Sequence, residues 1–90
     1  NVVTAANISV AGRVLTADGA RGVSGATVAL LNQHGETVYA RTNSFGYFRF
    51  NDVQAGAIYV LSVQSKRCQF AERVVSTDAE AQELTITALP

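Results

Sequence analysis

Apolar side chains fall at every second position of this chain, in short runs separated by glycine-bearing breaks. In AIYVLSVQS, Ala57 to Ser65, the residues Tyr59, Leu61 and Val63 share one face. Near the start, Ile8, Val10, Gly12 and Val14 alternate with Ser9, Ala11, Arg13 and Leu15. Successive side chains of an extended chain point to opposite faces, so a period of two fits strands with one face on a core. That pattern constrains the fold more than any other feature.

The first strand is expected to end near Ala17, where Asp18 and Gly19 open a loop with further glycines at 22 and 25. Thr27–Leu31 and Thr37–Arg41 flank NQHGE, whose Gly35 suits a hairpin closure, so they read as an antiparallel pair. Asn43, Ser44 and Gly46 form a turn before a strand over Tyr47–Phe50, and NDVQAG is the next break. Ala57–Ser65 follows as a central strand. Cys68–Val75 then places Cys68, Phe70 and Val74 on one side, and Glu83–Leu89 aligns Leu84, Ile86 and Ala88. Thr77–Glu83 is expected to be a loop or a short helical turn capped by Thr77. About seven strands at such spacing predict an all-β, antiparallel Greek-key sandwich.

Ninety residues bound the chain to one domain, and 48% hydrophobic content supplies a core. The charged fraction is 16%, against about 25% in an average globular protein. Seven basic and seven acidic residues cancel, so no long-range field gathers phosphates or anionic lipid, and nucleic acid is not an expected partner. Zero net charge also lowers the barrier to association with copies or neighbours. No apolar run approaches the roughly 18 to 20 residues of a membrane helix, so the chain is not expected to span a membrane. It opens on Asn1 rather than Met, as a processed or excised polypeptide would. Cys68 is the only cysteine, which leaves a buried small hydrophobe or a bond between chains.

Catalysis needs several residue types brought together, and the ingredients are sparse. His34 is the sole histidine and falls in the NQHGE loop. Ser24 is followed directly by Gly25, unlike the serine of a hydrolase elbow, and glycines 19, 22 and 25 lack the lysine and helix of a phosphate loop. Asp18, Asp52, Glu72, Asp78, Glu80 and Glu83 are scattered or lack the spacing of a calcium loop. Lys66 and Arg67 read as a solvated turn. No catalytic residue, cofactor site or metal site is therefore expected.

The order GRVLTADG, GVSGATVALL, TNSFGYFRF and NDVQAG followed by AIYVLSV resembles the carboxypeptidase regulatory-like domain, a transthyretin-like sandwich. The carrying residues are Gly12 with Val14; Gly25, Ala26 and Val28; Thr42 with Gly46, Phe48 and Phe50; and Val53 with Gly56 and Tyr59. The proline often found before that tyrosine is absent, Gln54 and Ala55 standing there, and Tyr59 sits further past Gly56 than usual. The resemblance implies a non-catalytic, secreted or surface-exposed module at residues 8–90, preceded by an extension or linker over residues 1–7. Some relatives cross-link a first-strand lysine to a last-strand asparagine; Arg13 and the late Lys66 make that bond unexpected here.

Phe48 and Phe50 are assigned to the core. Tyr47 points the other way and Phe45 lies on the turn, so these two cap the sandwich end, meet another protein or stack on sugar. The expected function is a non-enzymatic extracellular structural or interaction module whose partners are adjacent domains or copies of itself. One alternative is a filament protomer that donates residues 1–7, with Val2 and Val3, to a neighbour's sheet edge. Another is a carbohydrate-binding module using Tyr39, Phe45 and Tyr47.

Overall fold

A computed structural model, in which residues 7–77 and 81–90 are described, turns the period-two runs into seven strands. They are β1 (Asn7–Leu15), β2 (Thr27–Leu31), β3 (Thr37–Arg41), β4 (Tyr47–Gln54), β5 (Ile58–Gln64), β6 (Arg73–Ser76) and β7 (Ala81–Thr87). One sheet has the order β4-β1-β7 and the other β3-β2-β5-β6, so the chain crosses between layers after β1, β3, β4 and β6 in a Greek-key sandwich. All ladders are antiparallel except β1 with β7, which pair in parallel from Ser9 opposite Ala81 to Leu15 opposite Thr87.

The core lies between the layers. Val10 and Val14 from β1, Phe48 and Phe50 from β4 and Ile86 from β7 face Val28 and Leu30 from β2, Leu61 and Val63 from β5 and Val75 from β6. Phe48 and Phe50 are 4% and 5% exposed, their rings 5.9 Å apart and edge to face. Burial of each contributes roughly 1.5 to 3 kcal/mol. Gly12 interrupts the valine row of β1 for a steric reason: a Cβ there would collide with Leu84 O on β7 and lie 2.8 Å from the ring of Phe48, which stands opposite. The missing side chain is the space the phenylalanine fills.

Four sequence expectations change. The first strand ends at Leu15, not near Ala17. NDVQAG is not a break throughout, because β4 continues to Gln54. Between the pairs Val10–Phe50 and Ile8–Val53 the ladder holds one extra residue on β4, a β-bulge that resets the alternation and brings Val53 inward with Phe50. Cys68–Val75 is a strand only from Arg73. Gln69 instead accepts a backbone bond from Leu89 N–H at 2.7 Å, which ties this segment to the chain after β7 rather than to β5. The alternation restarts one residue out of phase, so Val75 is buried and Val74 is 70% exposed. Ala81–Glu83, expected in a loop or helical turn, belong to β7; 78–80 lie outside the described residues.

Candidate interaction surfaces

Two buried threonines clamp the loops. Thr42 Oγ1 accepts from Ala26 N–H at 2.9 Å and donates to Val23 O at 2.6 Å, joining the β3–β4 turn to the loop before β2. At the other end, Thr77 Oγ1 accepts from Ala57 N–H at 2.9 Å and lies 2.8 Å from Gln54 O. His34 is exposed in the NQHGE loop, its N–H donating to Asn32 Oδ1. Among the described residues no group of three or more His, Cys, Asp or Glu side chains is placed to hold a metal. Cys68 packs half-buried against the core.

The turn from Asn43 to Gly46 explains where its aromatics go. Asn43 Oδ1 accepts from both Phe45 N–H and Tyr47 N–H, and Gly46 takes φ of 86°. A Cβ on Gly46 would lie 2.5 Å from Val14 O. The backbone of the turn therefore packs against the neighbouring loop and sends the side chains outward. Phe45 is 65% and Tyr47 50% exposed, so neither seals the core. Arg13 spans both, its guanidinium 5.0 Å from the Tyr47 ring centre and its Nε donating to Phe45 O.

The outer faces of the two layers differ. On the three-stranded sheet, Tyr47 stands beside Arg13, while Arg49 donates to Asn51 Oδ1 and to Ser9 Oγ. That face is polar and internally hydrogen-bonded. On the four-stranded sheet the outward positions form rungs: Thr37–Leu31–Val60–Val74 across all strands, with Tyr39–Ala29–Ser62 on one side and Ile58–Ser76 on the other. Leu31, Tyr39, Ile58 and Val74 are all exposed. The next rung on this face, Arg41–Thr27–Gln64, is polar and bounds the apolar patch on the side of the β3–β4 turn.

Of the sequence-derived surface residues, Phe45 lies on the turn before β4, Tyr47 on the polar sheet and Tyr39 on the apolar one, so the three do not form one platform. Val2 and Val3 lie outside the described residues. Sequence reasoning missed Ile58, Val60 and Val74. The signal for the first two was present: AIYVLSV is apolar on both of its alternating faces, the mark of a strand covered on each side.

A model of the carboxypeptidase regulatory-like domain matches residues 9–89. Among curated proteins none matches the chain. Solved structures similar in fold include the major pilin subunit of Bacillus cereus, at 12% identity and TM-score 0.68, covering 91% of this chain and 29% of the pilin. A DUF3823 family protein from Parabacteroides merdae superposes at 13% identity and TM-score 0.71, covering 97% of this chain and 48% of that one. The Bacillus anthracis TIE protein does so at 16% identity and TM-score 0.60, over 92% and 17%. The chain thus spans less than half the length of each of these proteins.

Proposed function

The chain belongs to the carboxypeptidase regulatory-like domain family, and we propose that it is a non-enzymatic extracellular structural module that associates with copies of itself through the outer face of its four-stranded sheet. The observation that carries this reading is the unbroken rung Leu31–Val60–Val74 with Tyr39 and Ile58 beside it, on a molecule whose other sheet is polar outside. Zero net charge supports it by leaving little repulsion between copies. The pilin and the other fold relatives, in which this sandwich is a minor part of a longer chain, support a structural role.

The size of the face sets the strength. Four strands about 4.8 Å apart, taken over the three rungs that carry no charge, present about 400 Å² per copy. A stable interface needs about 800 Å² per partner, so the association is weak and is strengthened where modules are held close together. Sedimentation at concentrations up to about 1 mM is expected to show reversible dimers that Val74→Asp abolishes without changing the thermal midpoint. A strictly monomeric protein, or dimers indifferent to that substitution, would reject this face.

A further inference from the structure

The most basic part of the molecule is a cleft at the end of the sandwich where β5 stops. Arg21, Arg41, Lys66 and Arg67 line one cavity of about 500 Å³, and no carboxylate lines it among the described residues. It runs into a second cavity of about 760 Å³ that shares Gly25, Arg41, Ser65, Lys66 and Cys68 and adds the apolar Val63, Phe70 and Leu89. Both volumes lie in the range of natural ligand sites. Four of the seven cations of a chain with zero net charge are therefore gathered in one place, and the cancellation over the whole molecule conceals a local excess.

These cations are largely unengaged. Arg41 reaches Gly25 O at 3.4 Å, and Arg21 lies near enough to Asp18 to add slightly to the lowering of its pKa, which the Thr16 hydroxyl dominates. Lys66 and Arg67 are exposed, and neither side chain has a hydrogen bond or ion pair among the described residues. Their positions are set by the turn, in which Arg67 N–H donates to Ser65 Oγ.

A second feature points to the shape of the ligand. β6 pairs with β5 only from Ile58 to Leu61, and β5 continues through Ser62, Val63 and Gln64 with no strand beside it on that edge among the described residues. Val63 and Gln64 line the larger cavity. A sheet edge of this kind recognises an extended peptide through its main chain, and the flanking side chains then select sequence. Sulfated sugars and inorganic anions satisfy the charge but not the edge.

We infer that this cleft binds an extended acidic peptide segment, which adds to the free edge of β5 at Ser62–Gln64 and runs on across the end of the sheet, where its carboxylates meet Lys66 and Arg67 and then Arg21 and Arg41. The inference rests on reading the domain as an interaction module, and it supplies a second contact distinct from the apolar sheet face. Arg41 and Arg21 offer planar forks suited to carboxylates, while Lys66 and Arg67 act at the mouth.

The test uses a fluorescent oligo-glutamate peptide of about ten residues, titrated at low and at physiological salt. Saturable binding that weakens with salt is expected, with at least tenfold loss in the double variant Lys66→Glu, Arg67→Glu. Amide hydrogen exchange should slow on binding within Ser62–Gln64, at the amides that point away from β2. Absence of saturable binding, or an affinity unchanged in the double variant, overturns the proposal. So does binding of dextran sulfate as tight as that of the peptide with no slowing at those amides, which would leave a general anion patch. Sedimentation of the same double variant separates the two readings, because association through Leu31, Val60 and Val74 should persist when the peptide site is lost.

Discussion

Thr42 holds two loops with one hydroxyl, and its burial makes that hydroxyl costly to lose. Valine has nearly the same shape but neither donates nor accepts. Thr42→Val would leave Ala26 N–H without its acceptor and Val23 O without its donor. An orphaned buried group costs about 1 to 3 kcal/mol, so a loss of about 2 to 4 kcal/mol is expected in urea denaturation, with Thr42→Ser recovering most of it. A loss below about 0.5 kcal/mol would show that water replaces the hydroxyl. The residue is visible in the sequence as the threonine four positions before Gly46, but its bonds reach 16 and 19 residues back along the chain, and no local pattern shows that.

At the scale of single elements, β4 gives the core its two phenylalanines, which are correspondingly sensitive. Phe48→Ala removes a ring that also fills the space left by Gly12, and the expected cost is about 3 to 5 kcal/mol. Against a total of about 5 to 13 kcal/mol for a chain of this length, that shifts the denaturation midpoint by a large fraction. A change under about 1 kcal/mol would mean that the layers close over the gap. The elements also show what sequence can and cannot convey. β2 and β3 match their expected bounds because the NQHGE loop, with Gly35 at φ of 83°, fixes the hairpin locally. The continuation of β4 was hidden because its bulge breaks the period that identifies a strand. β6 was mis-phased because Cys68 and Phe70 alternate as in a strand but meet no ladder. Ala81–Glu83 favour helix on their own, and pairing with β1 overrides that preference. The apolar outer face was half readable, through Ile58 and Val60, and half lost with the phase of Val74.

For the whole molecule, the arrangement of β1 and β7 matters beyond packing. They are adjacent and parallel, joined by seven rungs from Ser9–Ala81 to Leu15–Thr87, so the chain enters the sheet at one end and leaves it at the other. Tension drawn through those two ends pulls the strands past each other lengthwise, and every rung bears load at once. If the pull is taken instead between Asn7 and Gly35, in the β2–β3 loop at the same end as the start of β1, the layers peel and the rungs fail in turn. In single-molecule stretching, end-to-end pulling should therefore break the domain at a clearly higher force than the same-end geometry, and equal forces would show that the parallel ladder bears no load. A domain wired this way is suited to transmit strain along a tether.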